Sequence, residues 1–148
     1  PVDVPLPNGL RRLFPGPAAL AQLRPEQLVM PRARARTIKA FATAVASGEL
    51  DLLGRATLDD TVSELCALPG IGPWTAHMIA GRVLGQPDAF PASDLGLRRS
   101  AAQLLGASAP LSARELETLA ERWRPFRATA AAYLWMAKID PRAAQERS

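Results

Sequence analysis

Apolar residues recur at intervals of three and four along most of this chain, and that spacing, more than any other feature, restricts what it can fold into. Ile38, Phe41, Ala42 and Val45 fall at i, i+3, i+4 and i+7, and the pattern returns at Leu116, Leu119, Ala120 and Trp123 and at Ala130, Tyr133, Leu134 and Ala137. A period near 3.6 places each set on one face of a helix. Three more helices are expected: about 59–67, about 74–84 with Ala76, Ile79, Ala80 and Val83 as its stripe, and about 94–105 with Leu97, Ala101, Leu104 and Leu105 inward. Ser93 or Asp94 is available to cap the last of these. No segment alternates as a half-buried strand does, and Gly54, Gly85, Gly106 and Pro110 punctuate the helices. With 148 residues, 48% of them hydrophobic, one compact all-α bundle is expected. Residues 1–16 read as an extended Pro-rich connector, 17–138 as the helical domain and 139–148 as a frayed tail.

Charge and cysteine content narrow the function. Eighteen Lys plus Arg face fourteen Asp plus Glu, for a net charge of +4, and only Lys39 and Lys138 are lysines. An Arg-rich basic surface favours a polyanionic partner. The single cysteine, Cys66, excludes a disulfide framework and a four-thiolate metal site built within this chain. No apolar run approaches the roughly 18 residues of a membrane span, and no signal-peptide pattern opens the sequence, so a cytoplasmic location without membrane association is expected. The chain opens without Met, as a piece of something longer would.

One turn stands apart from the others. L-P-G-I-G-P-W-T-A, residues 68–76, places Gly70 and Gly72 in a short apolar link between two helices, with Pro73 and Trp74 directly behind. Unpaired backbone N–H groups at the start of the second helix, with its positive dipole end, suit a phosphate. Side chains at Gly70 and Gly72 would hold that phosphate away. The alternative is a cap followed by Pro at the first helical position, with no ligand.

Two further segments carry a resemblance: F-P-A-S-D-L-G-L-R-R, residues 90–99, and E-R-W-R-P-F-R-A-T-A-A-A-Y-L-W, residues 121–135. In this order and spacing they make the chain, from about Arg12 to Ala137, similar to the helix–hairpin–helix DNA glycosylases, and within them to the AlkA type, 3-methyladenine DNA glycosylase II. P-R-A-R-A-R, residues 31–36, fits the same family. The resemblance implies removal of alkylated purines from duplex DNA by base flipping and hydrolysis of the N-glycosidic bond. The N-terminal β domain and first helices of that family have no counterpart in the chain. The competing reading is a helix–hairpin–helix module that binds DNA without chemistry; a helical interaction domain is more remote.

The resemblance also implies roles. Asp94 matches the essential aspartate, whose charge stabilises a sugar losing its base; capping its helix is the structural alternative. Trp74, Met78 and Trp135 correspond to the base pocket, with core packing the alternative for either Trp. Gly70, Ile71, Gly72 and Trp74 correspond to the phosphate-binding hairpin. Main-chain carbonyls of Cys66, Leu68 and Ile71 correspond to a site for Na+ or K+. Trp74 stands where strand-cleaving members carry a lysine, which implies a monofunctional enzyme using water, with no required cofactor and no iron–sulfur cluster. A monomer is expected. Asp88 and His77 are given no catalytic role, and of the arginines 98, 99, 122, 124 and 127 any could contact phosphate while most read as solvated faces, so none is singled out.

Overall fold

The computed structural model describes residues 13–52 and 57–137. Among them lie seven α-helices and no strand: α1 (Pro17–Gln22), α2 (Arg32–Ser47), α3 (Leu58–Ala67), α4 (Pro73–Arg82), α5 (Leu95–Leu104), α6 (Ala113–Ala120) and α7 (Arg127–Ala137). The all-α expectation holds. Most of the connector, the tail and the Gly54 punctuation lie outside the described residues.

The chain divides into two compact units, Pro1–Leu52 with Leu68–Gly70, and Leu53–Ala67 with Ile71–Ser148. In the first, α1 packs on α2 and Gly70 lies against Thr37. Gly70 has φ +80°, and a Cβ there would collide with Thr37 Oγ1. Both constraints exclude a side chain. In the second, α3 packs on α4 and α5 on α7. Its core gathers Phe90, Leu97, Ala101, Leu116, Ala120, Ala131 and Leu134. Alanine at three of these seven positions lets the helices approach closely, and Phe90 meets Trp123 with ring centroids 6.1 Å apart.

Local signals fix the helix starts. Ser112 Oγ accepts from the Glu115 N–H at 3.1 Å, while Glu115 Oε2 accepts from the Ser112 N–H at 2.7 Å, a reciprocal cap on α6. Of the two candidate caps on α5, Asp94 is the one used.

The inward stripes depart from the sequence expectation at helix ends and in α7. Ala76 and Ala80 are buried, but Val83 follows the end of α4 and is exposed. Leu97 and Ala101 are buried, whereas Leu104 and Leu105, at the end of α5 before Gly106, are exposed. In α7 the buried set is Arg127, Ala131 and Leu134, so Tyr133 is 69% exposed and Ala137 also faces outward. The face is turned by a charged residue that apolar spacing does not register.

That residue is Arg127. Its Nε and Nη2 donate to Asp88 Oδ1 and Oδ2 at 2.7 and 2.8 Å, with side-chain exposures of 8% for Arg127 and 17% for Asp88. Arg124 also pairs with Asp88 and, at 2.7 Å, with Glu121. Neither arginine is a plain solvated face, and Arg98 is also engaged through the Leu111 carbonyl. The Ala128 N–H donates to the Pro87 carbonyl at 2.9 Å, so the 85–91 segment is fastened to the start of α7. Arg127→Met should lower stability by about 2 kcal/mol in urea denaturation, since it leaves Asp88 half-buried without its bidentate partner. The Asp88→Asn, Arg127→Met double variant should lose less than the sum of the two single changes.

Candidate active site

Asp94 ends the Phe90–Asp94 segment, whose turns are closed by Ala92 N–H to the Phe90 carbonyl and Asp94 N–H to the Pro91 carbonyl at 3.0 and 2.8 Å. Its carboxylate gathers three donors. Oδ1 accepts from the Leu97 N–H at 2.9 Å and from Trp135 Nε1 at 3.2 Å, and Oδ2 accepts from Trp74 Nε1 at 2.9 Å. One side chain therefore caps α5 and ties it to the first turn of α4 and the third turn of α7. Burial works to raise the pKa of this carboxyl, but the Leu97 amide, the two indoles and the Gly96 amide outweigh it together, leaving it below the ordinary aspartate value. The group is a fixed anion at neutral pH.

The neighbouring supports are built from both sides. His77 Nδ1 accepts from the Phe90 N–H at 3.2 Å, which puts the imidazole proton on Nε2. Burial, then the Arg127 charge, lowers the His77 pKa against the opposing pull of Glu117, Asp59 and Asp88, consistent with a neutral ring. His77 thus anchors the segment that leads to Asp94. A Cβ at Gly81 would lie 3.2 Å from Ala89 Cβ and 3.9 Å from Ala128 Cβ, so its absence lets α4 approach both the segment and α7.

Beside Trp135 lies a cavity of about 660 Å³, bordered by Met78, Arg82, Pro91, Ala131 and Ala132 among others. That is within the roughly 300–1,000 Å³ range of small-ligand pockets. Met78 and Trp135 are half-buried, and Trp135 also packs against the core, so core packing and pocket lining coexist. Trp74 is 44% exposed and directs its N–H at Asp94. Trp74, Met78 and Arg82 recur every fourth residue along one face of α4, and the Arg82 guanidinium carbon stands 4.8 Å from the Trp135 ring centroid. Arg82 was missed in the sequence, although its spacing from Trp74 and Met78 was there to read.

The hairpin joins α3 to α4. Ile71 is buried, Cys66 and Leu68 are half-buried, and Gly72 is the N-cap of α4 with no side-chain cap and Pro73 behind it. Nothing lies within 4 Å of a Cβ built at Gly72. Gly70 is bare for internal reasons, and Gly72 is bare on an open side. Among the described residues, no group of three or more His, Cys, Asp or Glu could hold a metal ion, and no helix is long and apolar enough to cross a membrane.

Fold and site together define a helix–hairpin–helix domain with one carboxylate held between two indoles, one of which, Trp135, borders a cavity. No protein-family model matches the chain. It is 45% identical over 134 residues to a probable bifunctional transcriptional activator/DNA repair enzyme AlkA of Mycobacterium tuberculosis, over 90% of this chain and 26% of that protein. It is 32% identical to a DNA-3-methyladenine glycosylase of Bacillus subtilis, over 83% of this chain and 42% of that protein. Its structure matches the Schizosaccharomyces pombe 3-methyladenine DNA glycosylase Mag1, in complex with abasic DNA, with a TM-score of 0.73 at 27% identity, over 82% of this chain and 62% of that one. The chain is thus a homologue of the AlkA-type 3-methyladenine DNA glycosylases, and it spans about a quarter to under half the length of these curated relatives.

Trp74→Phe and Trp135→Phe should each raise the Asp94 pKa toward its ordinary value, more in combination, as read by NMR titration of the carboxyl carbon. Because the folded pKa lies below the unfolded one, Asp94 contributes stability that is present above the unfolded pKa and lost as pH falls through the folded value. Asp94→Asn should accordingly flatten the acid limb of the stability–pH curve.

Proposed function

We propose that the chain carries the chemistry of a monofunctional base-excision glycosylase acting on alkylated purines such as 3-methyladenine in duplex DNA. The observation that carries this reading is the Asp94 carboxylate, fixed by three N–H donors at the edge of Trp135 and so beside the cavity that ring borders. The flipped base enters the cavity against Trp135 and Met78, and Trp74 borders the sugar side. The C1′–N bond breaks with its electron pair leaving on the base, positive charge develops on the sugar, and Asp94 stabilises that charge and orients a water. Water's oxygen bonds to C1′, its proton leaves, and the products are a free base and an abasic site. With tryptophan at position 74, no lysine amine replaces the water.

The hairpin holds the strand. Backbone N–H groups of Gly70, Ile71, Gly72 and Trp74 reach a phosphate through the open side of Gly72, and the main-chain carbonyls of Cys66, Leu68 and Ile71 take Na+ or K+ at the negative end of α3. The partner is double-stranded DNA, bound by a monomer in the cytoplasm. Gly72→Val should weaken binding to undamaged duplex about tenfold in a fluorescence-anisotropy titration, by holding the phosphate away.

A duplex-binding module without chemistry is favoured by one observation: capping α5 already gives Asp94 a structural task. Asparagine caps nearly as well as aspartate, so Asp94→Asn separates the readings. Release of 3-methyladenine from methylated duplex should fall about 10³-fold in Asp94→Asn while DNA binding persists, the equivalent of losing roughly 4 kcal/mol of charge stabilisation. Release by the wild type no faster than the uncatalysed background would leave the binding module as the correct reading, and equal release above background by both proteins would remove Asp94 from the chemistry.

A further inference from the structure

The wall of the cavity already carries a cation. Arg82 lies in the last turn of α4, two turns beyond Trp74, with its guanidinium carbon 4.8 Å from the centroid of the Trp135 ring. Arg82 and Trp135 border the same cavity. The side chain is exposed, and among the described residues no carboxylate forms an ion pair with it. The indole is therefore polarised from two directions: its Nε1–H points at the Asp94 carboxylate, and its ring lies under a guanidinium.

An indole face attracts positive charge through its quadrupole, and here a resident side chain takes up that attraction. A planar base stacking on Trp135 must do so beside this guanidinium or in its place. A neutral base can share the ring, because a guanidinium is itself planar, stacks on aromatic systems and donates to carbonyl and ring-nitrogen acceptors. A base with fixed positive charge meets a like charge at contact range and offers fewer acceptors in return.

We propose that Arg82 is a specificity-determining residue of the base pocket, biasing it toward neutral planar bases with acceptor atoms and against bases of fixed positive charge. This deepens the glycosylase reading and rests on one part of it, that Trp135 is a wall of the base pocket; Asp94 need not be catalytic for it to hold. Cationic N-methylpurines then keep less of an advantage over neutral bases than an unoccupied indole would give them.

Nucleoside binding, which needs no catalysis, tests the idea. Guanosine and 7-methylguanosine in its cationic form are titrated into the chain, with binding followed at the Trp135 indole N–H resonance. Arg82→Gln should tighten 7-methylguanosine about tenfold relative to guanosine, whereas Arg82→Lys, which keeps the charge, should retain the wild-type ranking. An unchanged ratio in Arg82→Gln, equal weakening of both ligands, or a Trp135 resonance that neither ligand shifts in any variant would overturn the proposal. Base release that survives Asp94→Asn would instead count against the catalytic reading while leaving this one intact.

Discussion

The Asp94 carboxylate is the point on which the functional end of this chain depends. Three donors meet there from three helices: the Leu97 amide within α5, the Trp74 indole from α4 and the Trp135 indole from α7. Each donor favours the ionised form, and together they overcome the burial that opposes it. A carboxylate set this way keeps its position while it keeps its charge, because the same hydrogen bonds supply both. Replacing it with asparagine keeps an acceptor for the helix N-terminus but removes the charge and one of the two acceptor oxygens that the indoles share with it, so the electrostatics change more than the cap.

The surroundings make that arrangement rigid. The segment preceding Asp94 is fastened to α4 through the His77 imidazole and Phe90 amide, and to α7 through the Asp88–Arg127 pair and the Ala128 amide. Gly81 removes the side chain that would keep α4 from that segment. An ion pair as sheltered as Asp88–Arg127 contributes less to net stability than its short distances suggest, since desolvation offsets much of the attraction. Its consequence is geometric: it fixes the start of α7, and Trp135 lies two turns further along.

Much of the helical framework is legible in the sequence, because local periodicity and capping chemistry carry it. The Ser112 and Glu115 pair fits the reciprocal capping pattern, and Asp94 stands one residue before α5. The α7 stripe is misread because its run of alanines leaves the phase open and because the residue that sets it, Arg127, is charged. Val83, Leu104 and Leu105 are misread because apolar spacing continues past the point where the helix turns outward or ends. At the site, Asp94, Trp74 and Trp135 come from the resemblance, not from periodicity, since nothing local brings residues 20 and 41 positions away to Asp94. Arg82 over Trp135 is a contact of the same kind, and only its place on the Trp74–Met78 face hinted at it. The hairpin glycines divide on inspection of space: Gly70 answers to Thr37 and to a left-handed backbone, while Gly72 alone opens outward.

The central claim is that the N-glycosidic bond is broken between Asp94 and the cavity beside Trp135. A crystal structure of Asp94→Asn bound to duplex DNA carrying one alkylated purine tests it most directly. The account predicts the purine turned out of the helix and lying in the cavity against Trp135, with C1′ of its sugar next to residue 94 and a phosphate at Gly72. A purine still stacked in the duplex, or seated away from Trp135 with residue 94 remote from the sugar, would contradict it.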